Sequence, residues 1–245
     1  MKFIFLIIFI IILNNSCLIQ KDEINYNEKV LNNNLYGFKP ISQSARLDSL
    51  TIYELSILAL SGDIQSANKI ATHYGIAERN DEKMYKWYLI NSENNDSQSQ
   101  YSIWSYRNLF HDDFILDYER RLFWLFQSRK NDNEFALNYI SYEYIINECM
   151  FIKEIQYKEK IDIVIDNNNL NSLEIRAMRG NGIISLKLAE YYEQINNEKM
   201  VFWLRIGAQN GNKECMIKYG NYLINKNDEL NIIRGEFWLQ KSMGF

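Results

Sequence analysis

The sequence predicts an all-α protein built of stacked helical hairpins, an α/α hairpin repeat solenoid coiled as a right-handed superhelix of about five repeats. Three observations carry the prediction. Proline occurs once, at Pro40, in 245 residues. A proline inside a helix costs about 3 kcal/mol, so its scarcity favours long uninterrupted helices. Tryptophan recurs in one local context at a spacing of about 39 residues or twice that. An apolar stripe of helical period follows each of several regularly spaced turn residues. A parallel β reading fails, because Pro and Gly are scarce and the apolar runs exceed strand length.

The chain opens with Met1-Lys2 and an unbroken apolar run over residues 3–13, followed by Asn14-Asn15-Ser16-Cys17. That order predicts a secretory signal peptide over residues 1–16. The run is shorter than the ~20 residues that span a bilayer. Cys17 directly after a small residue resembles the bacterial lipobox, which implies acylation of its thiol. Asn14 departs from that pattern, since leucine is usual there and Leu13 stands one place further off. An unlipidated signal with an incidental cysteine is the alternative. The expected location is the periplasm, lipid-anchored. Leu18 after the cysteine favours the outer membrane over the inner one. Residues 17–40 are polar and read as a lipidated N-terminus and tether, with a mean reach on the order of 25 Å. Cys149 and Cys215 lie in apolar stretches. Export permits a disulfide, but two buried core thiols fit better.

Residues 41–245 hold the repeats. Lys86-Trp87-Tyr88-Leu89, Phe123-Trp124-Leu125, Phe202-Trp203-Leu204 and Phe237-Trp238-Leu239 share a context. The long gap between the second and third holds a unit without its tryptophan: Ser172-Leu173-Glu174-Ile175-Arg176-Ala177 aligns with Trp203-Leu204-Arg205-Ile206-Gly207-Ala208. Eight positions after the tryptophan site stand Asn95, Asp132, Gly180 and Gly211, and Gly62 begins the series. Apolar or small residues then follow at helical spacing: Ala67, Ile70, Ala71 and Tyr74; Leu137, Ile140, Ser141 and Tyr144; Ser185, Leu188, Ala189 and Tyr192; Met216, Tyr219, Gly220 and Leu223. Asn80-Asp81 and Asn196-Asn197 are placed to cap a second helix. Each unit is thus a hairpin that buries its stripe against its neighbours.

The stretch Val201-Phe202-Trp203-Leu204-Arg205-Ile206-Gly207-Ala208-Gln209-Asn210-Gly211, with Lys218-Tyr219-Gly220-Asn221-Tyr222 after it, resembles the Sel-one-like repeat family, relatives of tetratricopeptide repeats. Trp104 stands where that family has a small residue, so the first helix of the second repeat should be displaced. The interval 151–169 reads as a degenerate repeat with an insertion. The resemblance implies a protein-binding scaffold. Small exported members, often lipoproteins, are similar to immunity proteins that block secreted antibacterial effectors of type VI secretion, phospholipase-like ones included.

Composition narrows the function. A net charge of −4, from 31 acidic and 27 basic residues, gives no basic face for nucleic acid. His73 and His111 are the only histidines and neither has a second ligand at metal spacing, so no metal or other cofactor is expected. Nucleotide-binding loops and nucleophile elbows are absent, and the chain does not read as an enzyme. His111-Asp112-Asp113 reads as a cap and loop before Phe114. The charge run Asp117 to Arg121 reads as a solvated helix face. Surface remains. One column of the first helices holds His73, Tyr106, Glu143, Tyr191 and Tyr222, and the column before it includes Tyr142. Tyr106, Tyr142, Tyr191 and Tyr222 are the candidate protein-binding residues, because tyrosine gives large contact area at low entropic cost. The expected partner is a protein, either a secreted toxin or an envelope component served by a general adaptor, regulatory or structural lipoprotein.

Overall fold

The protein is described from a computed structural model covering residues 45–106, 114–139 and 164–244. The described residues are helical: α1 (Ser49–Leu60), α2 (Ile64–Thr72), α3 (Asp81–Glu93), α4 (Ser97–Ser105), α5 (Phe114–Lys130), α6 (Leu170–Met178), α7 (Gly182–Tyr192), α8 (Asn197–Gln209), α9 (Lys213–Ile224) and α10 (Glu229–Met243). A π-helical turn, His73–Ala77, extends α2, and a further helical segment covers 134–139. Packing runs mostly between consecutive helices. Short first helices pair with longer second ones as α2 with α3, α4 with α5, α7 with α8, and α9 with α10.

Local chemistry explains where each hairpin begins. Gly62, Asn95, Asp132, Gly180 and Gly211 all have positive φ, between 58° and 118°. This is the left-handed turn that ends a helix, open to Gly and tolerated by Asn and Asp. The next residue is Asp63, Asp96, Asn133, Asn181 or Asn212, whose side chain accepts the N–H three positions on and caps the first helix. Turn and cap therefore form one two-residue device, used five times. Asn80 and Asn196 cap α3 and α8 as their spacing predicts, and Asp228 does so for α10.

The predicted stripes are buried on α2, α7 and α9, apart from the half-buried Tyr74. The 134–139 segment differs. Ala136 is fully buried while Leu137 is exposed, and Phe135 and Tyr139 reach back to the rings of Tyr101 and Trp104. Ile140, Ser141 and Tyr144 of the predicted stripe, and most of the degenerate interval 151–169, lie outside the described residues. Trp124, Trp203 and Trp238 are core residues, whereas Trp87 is half-buried beside Ala67 and Ile70. α4 stops at Ser105, one residue after Trp104, and the backbone at Tyr106 is extended. α9 and α10 cross at two glycines. A Cβ built on Gly235 would lie 2.6 Å from the Gly220 carbonyl oxygen, so only hydrogen fits.

One reading is overturned. The charge run on α5 is not solvated: Asp117 and Arg120 are fully buried, and Glu119 and Arg121 nearly so. Asp117 accepts from Arg121 at 2.8 Å, and Arg121 also donates to the Trp104 carbonyl. Glu119 forms a two-pronged pair with Arg179 on α6, at 2.5 and 2.7 Å. Burial without partners would be costly, and each of these charges has found one. A second feature lies outside the hairpin pattern, for α10 packs against α1.

Candidate functional site

The first helices place the predicted tyrosines in separate surroundings. Tyr106 is half-buried, with its hydroxyl 3.6 Å from Met84 Sδ and its ring against Tyr85 and Tyr88. Burial pushes its phenol pKa up, with Tyr88 and Asp81 adding to the effect. Tyr191 is half-buried and meets Tyr192 edge-on at 5.0 Å. Tyr222 is half-buried, and the Lys226 ammonium sits 4.8 Å from its ring centre. Thr72, Ser105, Glu190 and Asn221 in the neighbouring column are exposed. Tyr142, Cys17, Cys149 and His111 lie outside the described residues. His73 is buried, its Nδ1 accepting the Leu47 N–H, so its Nε2 donates to Glu78 at 3.1 Å. Cys215 is a buried free thiol whose pKa burial pushes up to about 12.

The densest polar constellation among the described residues lies elsewhere, where the C-terminal ends of α1 and α3 meet α8 and α10. Glu93, the last residue of α3, is 2% exposed. Its Oε1 accepts from Arg205 Nε at 2.9 Å and from Gln209, both on α8. Its Oε2 accepts from Arg234 Nη2 on α10 at 2.6 Å. Arg234 Nη1 also donates to the Leu60 carbonyl that ends α1 and to Asn94 Oδ1. Lys241 donates to the Glu93 carbonyl. Burial alone would raise the Glu93 pKa, yet Arg205 and Arg234 outweigh it and hold it at about 2. Burial lowers the Lys241 pKa to about 8, against the pull of Glu93.

A matching set stands around Arg120 on α5. Arg120 donates to the Met178 carbonyl that ends α6, to Asn210 Oδ1 at 2.7 Å and to Gln209 Oε1 at 2.6 Å. Each guanidinium lies over the phenylalanine three residues on, Arg120 over Phe123 at 3.9 Å and Arg234 over Phe237 at 4.0 Å. Phe123 and Phe237 in turn cover Gly180 and Gly62. Asn94 donates to the Ala59 carbonyl as Asn210 donates to that of Ala177. Residues with the same role are 114 to 118 positions apart, so α1, α3 and α10 correspond to α6, α8 and α5.

The arrangement has a structural chemistry. Arg120, Arg234 and Lys241 each bond carbonyls at helix C-termini, where the helix dipole favours a cation. Around the single carboxylate of Glu93, those partial charges help offset the surplus of positive side chains. Nothing in this set presents a nucleophile beside a base. Among the described residues, no group of three His, Cys, Asp or Glu converges as a metal site, and no helix is long and apolar enough to cross a membrane. Sequence reasoning missed the cluster because its members are up to 148 residues apart. A signal was present, since Arg-x-x-Phe-Trp occurs twice, at Arg120 and at Arg234.

Comparison with protein-family models finds no match, and comparisons with curated proteins and with solved structures find none either. The class defined by the fold is therefore an all-helical protein of paired helices, and its function is argued from the residues themselves.

Proposed function

We propose that this chain is a protein-binding module of the periplasm, its hairpins being Sel-one-like repeats wound as a solenoid and its N-terminus lipidated at Cys17. The observation that carries the reading is the five-fold recurrence of one turn-and-cap device in register. A device repeated in this way would let successive hairpins stack and present one face of each first helix to a partner. The half-buried rings of Tyr106, Tyr191 and Tyr222 fit the aromatic anchors that dominate protein interfaces, and Tyr142 belongs to the same proposal. The chain would act by stoichiometric occlusion of its partner. A secreted antibacterial effector of phospholipase type, neutralised by this chain as an immunity protein, is the partner class that the repeat resemblance favours.

The test is protection. Expression of the exported protein in the periplasm of a toxin-sensitive cell should rescue growth, and a version lacking residues 1–16 should not. A folded Tyr191→Ala, Tyr222→Ala double variant should lose rescue. Palmitate labelling should mark the wild type and not Cys17→Ser. Rescue by the cytoplasmic version would refute occlusion at the membrane. Partner capture that returns only envelope-assembly proteins would favour the adaptor role.

A further inference from the structure

We infer that α1 is a detachable strap: the α1–α10 contact is the joint at which this fold opens first, and lifting α1 uncovers Arg234 and Phe237. The molecule holds two equivalent joints of this kind. α10 packs on α1 as α5 packs on α6, and both contacts use an arginine on the carbonyl of the facing helix and a phenylalanine over its terminal glycine. The α5–α6 joint has in addition the two-pronged Glu119–Arg179 pair, with Glu119 8% and Arg179 24% exposed. The corresponding positions at α1–α10 are Ile233 and Ser61, which cannot form such a pair. What replaces it is a hydrogen bond from Tyr53 to Glu229 at the solvent-exposed far end. An exposed contact of this kind contributes little beside a partly buried, charge-assisted one.

Two further observations point the same way. α1 leaves Leu50, Tyr53 and Leu58 exposed and buries Ser56 and Ala59, where α6 buries the larger Leu173, Ala177 and Met178. The strong Arg234–Glu93 pair does not hold α1 either, because it joins α10 to α3. When α1 lifts, α10 loses the Arg234 bond to Leu60, the Tyr53–Glu229 contact and the cover of Phe237 over Gly62, and α3 loses the Asn94 bond to Ala59. Ile52, Leu55 and Ala59 also leave their packing beside Ala67, Ile70 and Trp87, as Leu173, Ala177 and Met178 would leave theirs if α6 lifted, so the ion pair is what sets the two joints apart. The remaining cluster stays intact. Local opening of this kind requires few buried contacts and few lost hydrogen bonds.

Hydrogen-exchange mass spectrometry on the full chain tests the idea without reference to any partner. Amides of α1 should exchange about tenfold faster than those of α6, the ratio that ~1.4 kcal/mol supplies. The double variant Ser61→Arg, Ile233→Glu grafts the missing ion pair onto the equivalent positions, and it should slow exchange in α1 while leaving α6 unchanged. Protection of α1 equal to that of α6 in the wild-type chain would overturn the inference. So would rapid α1 exchange that the folded graft does not slow.

Discussion

Replacing Glu93 by glutamine keeps the shape and one acceptor oxygen but removes the carboxylate that, among the described residues, is bonded to both Arg205 and Arg234. Two guanidinium groups then lose their counter-charge, and Arg120, whose charge Glu93 also supports, loses part of its compensation. Breaking a buried ion pair from one side typically costs about 3–5 kcal/mol. The proton linkage gives an independent figure. Arg205 and Arg234 overcome burial to hold the Glu93 pKa at about 2, against an ordinary value of 4.5, and such a drop corresponds to roughly 3 kcal/mol. The sign follows from the direction. A carboxylate with a depressed folded pKa stabilises the fold above its unfolded pKa, and that contribution fades as pH falls towards the folded pKa. Urea titrations of wild type and Glu93→Gln should therefore differ by about 3 kcal/mol at pH 7 and by less than half of that near pH 3. Other carboxylates titrate in both proteins and cancel in the difference. A gap under ~1 kcal/mol at pH 7, or one that does not shrink on acidification, would refute the assignment of Glu93 as the charge that holds these helices together.

The remaining predictions concern packing and reactivity. Trp203→Ala, at 2% exposure, should cost ~3–5 kcal/mol in urea titration, and Trp87→Ala, half-buried, at most about half as much. Gly235→Ala should force α9 and α10 apart and lower stability by ~1–3 kcal/mol by calorimetry, because its Cβ would lie 2.6 Å from a backbone oxygen. Cys215 should resist iodoacetamide at pH 8 in the folded chain, since its thiol is buried and its pKa is raised to about 12, and should label fully in urea. Peptide mapping separates it from the other two cysteines.

The features that sequence made legible are those written in neighbouring residues. Gly62, Asn95, Asp132, Gly180 and Gly211 mark the turns because a left-handed residue and its following Asx cap are local chemistry. Trp104 at a small-residue position marks an irregular repeat, and α4 ends one residue later, at Ser105. The charges on α5 misled because Asp117, Glu119, Arg120 and Arg121 at helical spacing look alike whether solvent or Arg179, Asn210 and Trp104 receives them. Only the packing of α5 against α4, α6 and the end of α8 decides between the two. Glu93 was invisible for the same reason, because its partners lie 112 to 141 positions away. A search at the single-repeat period finds the tryptophans. The arginine-on-phenylalanine pairs recur only over three repeats.

Glu93 and Gln209 hold corresponding places in the two sets of helices, and they touch each other. A position that meets its own counterpart must satisfy the rule of a self-complementary interface, in which a group has to suit a copy of itself. Most of this architecture passes that rule, since Asn94 and Asn210, or Phe237 and Phe123, never face one another in pairs. Two glutamates at 93 and 209 would fail it in direct contact, because like charges repel unless they share a proton or turn to Arg120 and Arg205 instead. An amide against a carboxylate resolves the conflict, with one donating what the other accepts. Engineering a version with two identical halves must therefore begin at these two residues. The substitution Gln209→Glu alone should make the direct contact depend on a shared proton, the ionised carboxylates parting towards Arg120 and Arg205.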